Sequence, residues 1–250
     1  MTHYEKYDGN RWEWVYFVTI CRESINIIKI FIEMDELEEF QGVRFTGNQI
    51  QRIELPGGGV VDYCKNFLTP EFGAFYFKYL RENLPYVRPE MGNGRKMNKE
   101  QSWMSDEGVK AKLYQKQPAT IWPREAMIVK EELERVSGSK VNYCLVNLYN
   151  DHTESLGYHH DEEVFEEEEG RDDVISLSLG ATRKFHMKHK TDNAPGRLNA
   201  KLTRSFMLSE GSLLIMRGKE TQNKWLHAVP TTSVPCGARI NLTYRYSSMK

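Results

Sequence analysis

From Val141 onward, apolar and polar residues alternate with a period of two. VNYCLVNLY, VISLSLG, TRKFHMKH, RSFMLS, GSLLIMRG, KWLHAVP and ARINLTYRYS are short strand candidates separated by turns. Strands of this length and spacing predict a sandwich or barrel. Upstream the period lengthens. An apolar strand, GVVDYC, leads into FLTPEFGAFYFKYLREN, where Thr69 is the N-cap and Pro70 the first helical residue. Phe72, Phe75, Phe77, Tyr79 and Leu80 give that helix one apolar face. WPREAMIVKEELERVSG predicts a second amphipathic helix, with Pro123 near its start, Glu125 in its first turn and Gly138 just past its end. Between the two, RPEMGNGRKMNKEQSWMSDEG is rich in Gly, Asn and charge and reads as a long surface segment. Helices first and strands afterwards is an α+β order, a double-stranded β-helix (jelly roll) with supporting helices on one outer face.

Residues 1–50 read differently. WEWVYFVTI suggests a strand, SINIIKIFIEMDELEEF a short strand followed by a helical turn, and GVRFTGNQIQRIEL a hairpin-like lead-in. These residues form an N-terminal extension of unknown role ahead of a domain spanning 51–250. The net charge of −1 gives no global nucleic-acid signal, but its distribution is uneven. EEVFEEEEGRDD at 162–173 is almost wholly acidic, whereas Arg183, Lys184, Lys188, Lys190, Arg197, Lys201 and Arg204 face only Asp192 as an acid. A basic stripe can therefore look one way and an acidic loop another. The four cysteines lie far apart without a C-x-x-C pair, which argues against a thiolate zinc site and against a disulfide framework. No targeting segment and no apolar run near the ~20 residues of a membrane span is visible. The expectation is a soluble intracellular monomer of cytoplasm or nucleus.

Candidate chemistry begins in NLYNDHTESLGYHHDEE. His159 and Asp161 stand two apart, and residues i and i+2 of a strand point to one side. An imidazole and a carboxylate can thus reach one metal from one strand, with His227 of KWLHAVP as the third ligand from a distant one. Two histidines and one carboxylate make the facial triad of non-haem Fe(II) oxygenases. Alone, H-x-D is more often a surface ion pair. ARINLTYR adds Arg239 and Arg245 on one face of a strand, and inward arginines require anions. A dicarboxylate cosubstrate would supply two, gripped in bidentate fashion; residues of the acidic loop would serve as well, and an exposed face would need neither.

Six motifs follow one another: N-x-Y (Asn147, Tyr149), H-x-D (His159, Asp161), LSLGATRKF, GSLLIMRG, W-x-H (Trp225, His227) and R-x-N-L-T-x-R (Arg239 to Arg245). Their order and spacing resemble the AlkB family, most of all its DNA- and RNA-dealkylating members, from about Gly57 to the C-terminus. The resemblance implies Fe(II) held by His159, Asp161 and His227, with 2-oxoglutarate and O₂ as cosubstrates. It implies Arg239 on the distal carboxylate of 2-oxoglutarate, helped by Tyr149 and Asn147, with Arg245 and Asn241 near the chelating end. Glu163 matches the acid that approaches the exocyclic amine of the damaged base. The implied reaction is oxidative demethylation of N-alkylated bases in DNA or RNA, releasing formaldehyde, succinate and CO₂.

Substrate recognition departs from the family. In a nucleotide-recognition lid at about 88–120, Trp103 and Tyr114 can stack on a base, while Ala111 and Leu113 stand where rings are expected. Arg183, Lys188 and Lys190 of the basic stripe are candidates for contacts to the substrate backbone. PTTSVPCGA, before the last strand, lacks the basic residues of duplex-specialised members and favours single-stranded DNA or RNA. His160 alternates away from His159 and should face the opposite side. Two rivals stay open: a related oxygenase acting on a protein or on an undamaged modified RNA base, and a non-catalytic nucleic-acid-binding jelly roll.

Overall fold

A computed structural model describes residues 2–7, 12–17, 40–90, 94–109, 117–161, 171–191 and 200–248. The chain divides into two units, Met1–Glu39 and Phe40–Lys250. In the first, β1 (Thr2–Tyr7) and β2 (Trp12–Phe17) pair as an antiparallel hairpin. The SINIIKIFIEMDELE part of the extension lies outside the described residues. The second unit begins ahead of residue 51: Phe40 packs on Phe72 and Phe75, and Arg44 is tied to Glu125 by two 3.1 Å contacts.

This unit runs β3 (Gln51–Glu54), β4 (Val60–Cys64), α1 (Pro70–Asn83), β5 (Glu100–Ser105), β6 (Thr120–Ile121) and α2 (Arg124–Ser137). There follow β7 (Tyr143–Tyr149), β8 (Leu156–His159), β9 (Val174–Gly180), β10 (Arg183–His189), β11 (Thr203–Leu208) and β12 (Ser212–Arg217). It closes with α3 (Gly218–Lys224), β13 (Trp225–Val229) and β14 (Arg239–Arg245). Two sheets result, β3-β4-β12-β9-β14-β7-β5-β6 and β11-β10-β13-β8, the layers of a jelly roll. Thr69 caps α1, its hydroxyl accepting from the Phe72 N–H, and α2 ends at Gly138 in the left-handed conformation. No helix among the described residues is long and apolar enough to cross a membrane.

The alternation of the sequence becomes two cores. On β14 all seven residues are buried, yet Ile240, Leu242 and Tyr244 join the cluster under α1 and α2. The other four, Arg239, Asn241, Thr243 and Arg245, therefore point between the sheets. On β7, Cys144, Val146 and Leu148 face the helices, and Leu145, Asn147 and Tyr149 face inward. Between the sheets, Tyr149, Met216 and Val174 meet Phe185, Met187, Phe206 and Trp225. Gly180 turns the chain from one sheet into the other at φ 77°; a Cβ there would lie 2.5 Å from the Ala238 carbonyl oxygen.

The structure corrects one expectation directly. The supposed surface segment before Gly108 contains β5, which pairs along β7 and is buried over most of its length. Its residues, EQSWMS, are mostly polar, with polar side chains on both faces and Gln101 on the cavity, so no apolar alternation betrays the strand. The seven-residue α3 also went unread, since GKETQNK has no apolar period.

Candidate functional site

β8 and β13 bring His159 and His227 directly opposite each other in antiparallel register, with ring centroids 4.2 Å apart. Asp161 lies two residues beyond His159, just past the end of β8, so a turn out of the strand aims it. Its backbone N–H donates to Gln222 Oε1 of α3 (3.2 Å), and Arg245 holds Oδ1. Oδ2 is buried without a hydrogen-bond partner, 3.7 Å from His227 Nε2. One ligand atom from each of His159, Asp161 and His227 lies within 4.8 Å of the others, the only such group among the described residues.

The electrostatics favour ligation. His159 Nδ1 faces the Gly157 carbonyl at 2.9 Å, which can only accept, so Nδ1 carries the proton and Nε2 keeps its lone pair. Burial pushes the pKa of both histidines down despite Asp161, leaving neutral imidazoles. Burial would raise Asp161, but Arg245 foremost and then the histidines hold it below the ordinary carboxylate range. Two neutral imidazoles, one carboxylate and an orphaned carboxylate oxygen fit Fe(II).

The trio borders a cavity of about 400 Å³ whose lining also includes Asn147, Tyr149, Asn241, Thr243 and Arg245, with apolar cover from Leu145, Leu156, Phe185, Met216 and Val229. Arg239 is almost fully buried against Tyr149, its guanidinium 5.4 Å from the ring. It spends Nη2 on Ser178 Oγ (2.9 Å), while Nε and Nη1 have no protein acceptor. Burial pulls its pKa down to about 10. Asn241 Nδ2 donates to Ser176 Oγ at 2.8 Å. The structure therefore gathers His159, Asp161, His227, Asn147, Tyr149, Asn241 and Arg245 around one space, with Arg239 packed against Tyr149 of its lining.

The expected substrate residues fare differently. Trp103 is 5% exposed, packs with Tyr143 and Leu145, and donates Nε1–H to the Gln117 carbonyl (2.7 Å). It is a core residue of β5 rather than an exposed stacking ring, because the lid around it is partly a sheet strand. Arg183 is likewise withdrawn from the basic stripe: buried, it donates to the carbonyls of Asp151, Glu154 and Pro230 at 3.0, 2.8 and 2.7 Å. Lys188 keeps an outward position, its Nζ 4.5 Å over the Tyr158 ring, and Lys190 is half-buried. Glu163 and Tyr114 lie outside the described residues. His160, expected to face away, also borders the cavity, since the strand ends at His159 and strict alternation lapses. Sequence reasoning missed Lys99 and Gln101 on the cavity wall and Gln222 behind Asp161. Neither the mostly polar stretch around β5 nor the polar α3 carries an apolar period by which these residues could be found.

A family model for the 2OG-Fe(II) oxygenase superfamily matches residues 60–245. The DNA oxidative demethylase ALKBH2 of Arabidopsis thaliana is 28% identical over 216 residues, covering 77% of this chain and 68% of that protein. The human alpha-ketoglutarate-dependent dioxygenase alkB homolog 3 is 31% identical over 171 residues, covering 66% and 54%. Its Bos taurus counterpart is 36% identical over 133 residues, covering 52% and 44%. The matches thus span about half the length of these two mammalian relatives. The solved structure of OsALKBH1 shares the fold, with a TM-score of 0.57 at 17% identity over 79% of this chain and 100% of that one.

Proposed function

Because the chain belongs to the 2OG-Fe(II) oxygenase superfamily, and within it to the AlkB family, we propose that it demethylates N-alkylated bases of DNA or RNA, preferentially in single strands. The observation that carries the reading is one cavity with the His159, Asp161 and His227 trio on one wall and the polar face of β14 on another. Iron, 2-oxoglutarate and O₂, when bound, would supply the hydroxylation of the N-methyl carbon, one oxygen atom going to that carbon and the other to succinate, with release of CO₂. His159, Asp161 and His227 would hold the metal. Arg239, beside Tyr149, has Nε and Nη1 without acceptors among the described residues, N–H groups that can give a distal carboxylate a charge-assisted hydrogen bond. Asn241 and Arg245 lie along the same strand face toward the trio, Arg245 also keeping Asp161 ionised. The apolar wall of Leu145, Phe185, Met216 and Val229 keeps bulk water from the reacting carbon. The hydroxymethyl group left on the base then collapses to formaldehyde and the unmodified base.

The strand preference rests on the 230–238 loop, which has no lysine or arginine with which to grip an opposite strand. Pulling a paired base from a duplex costs a few kcal/mol that other contacts must return. The test is turnover on methylated single-stranded DNA, single-stranded RNA and duplex DNA in one buffer, reading formaldehyde and succinate. Formaldehyde should form at least several-fold faster from a single strand. Succinate without formaldehyde from any nucleic acid would remove the substrate class, and equal rates on duplex and single strand would remove the preference.

A further inference from the structure

Lys99, just ahead of β5, is 1% exposed and borders the cavity. Lys130, also buried, has Asp106 and Glu134 within 3.7 and 3.9 Å. Lys99 has no carboxylate among the described residues. Its Nζ donates to Asn147 Oδ1 at 2.5 Å, and Gln101 Nε2 donates to the same oxygen at 3.0 Å. An ammonium can only donate, so the atom facing it must be the amide oxygen. The Asn147 carboxamide is thereby locked with Nδ2 turned elsewhere, and no described residue accepts from Nδ2.

The charges point the same way. Of the cations here, Arg245 on the cavity wall is paired with Asp161, whereas Lys99 on that wall and Arg239, packed against the lining residue Tyr149, meet no carboxylate among the described residues. Continuing the register Glu100↔Leu148 sets Lys99 against Tyr149, and Tyr149 pairs on its other side with Arg239. Two uncompensated cations therefore flank one tyrosine in a cross-strand row. Buried charges without counter-ions are costly, and a dianion in the cavity would relieve both. Burial, and after it Arg245, holds the Lys99 pKa down to about 7, the signature of an ammonium lacking its anion.

We propose that Lys99 is a further binding residue for the dicarboxylate cosubstrate, and that with Gln101 it positions Asn147 as a hydrogen-bond donor to the same ligand. This rests on the reading of the cavity as the 2-oxoglutarate site. The test is calorimetric titration of 2-oxoglutarate into the full chain loaded with Mn(II), alongside melting curves without ligand. Lys99→Met should raise the 2-oxoglutarate Kd about tenfold or more, as expected for a lost charge-assisted hydrogen bond. Lys99→Arg should recover most of the affinity, and Gln101→Leu should weaken binding less. Lys99→Met should melt no lower than the wild type without ligand, because it removes an unneutralised buried charge; a merely structural lysine would lower the melting point. A Lys99→Met protein that fails to fold, or binds 2-oxoglutarate as the wild type does, overturns the proposal. So does unchanged 2-oxoglutarate binding with weakened binding of a methylated oligonucleotide, which would move Lys99 to the base. If the wild type itself shows no 2-oxoglutarate isotherm, the cosubstrate reading of the cavity falls, and this inference with it.

Discussion

Asp161 is engaged from three directions: Arg245 takes one carboxylate oxygen, the metal position the other, and Gln222 its backbone N–H. Asp161→Ala should abolish succinate formation and Mn(II) binding. It should also cost about 3–5 kcal/mol of metal-free stability, because it breaks a buried ion pair by removing one member. Denaturant unfolding checks this, and a loss below about 1 kcal/mol would show that the pair is not shielded from water. Trp103→Ala should likewise act through stability, costing about 3–5 kcal/mol for a large core side chain. A Trp103→Ala protein of native stability with impaired oligonucleotide binding would restore the stacking role. Arg239 and Arg245 were legible because their spacing matches the period of a strand; His159 and Asp161 were read by the same period, although a turn past β8, not the strand, aims Asp161. Arg183 misled for a physical reason: charge in a sequence marks a side chain as exposed unless carbonyls are known to surround it.

Elements carry the next layer. The strands after Val141 other than β8 could be read from alternation alone, since each has apolar residues in a core. β5 could not, because it lends polar side chains to the interior. Nor could α3, a polar helix with Gln222 and Thr221 buried. Thr221 Oγ1 accepts from the Val60 N–H at 2.9 Å, anchoring the helix to β4 while Gln222 holds the Asp161 backbone. Partners behind metal ligands typically matter by 10- to 100-fold in affinity. Gln222→Leu should therefore weaken Mn(II) binding about tenfold with little change in fold, as read by calorimetry and circular dichroism. Unaltered Mn(II) affinity would mean that the turn after β8 aims Asp161 without help.

At the scale of the larger unit, the candidate site joins the two sheets: His159 and His227 belong to the smaller, and the proposed cosubstrate residues Asn147, Tyr149, Asn241 and Arg245 to the larger. Ligands bridging them should stabilise the folded state by mass action, by about 2.7 kcal/mol when free ligand reaches a hundredfold its Kd. Thermal melts should rise when Mn(II) and 2-oxoglutarate are added together, and a flat melting temperature would contradict a site shared by both layers. β14 has a consequence of another kind. Sliding it by one residue against β7 and β9 would thrust Arg239, Asn241, Thr243 and Arg245 into the oily layer beneath the helices and turn Ile240, Leu242 and Tyr244 into the cavity. The same four side chains that face the interior between the sheets thus act as a registration mark during folding. A chain stripped of them would lose its means of telling the correct strand alignment from its nearest error.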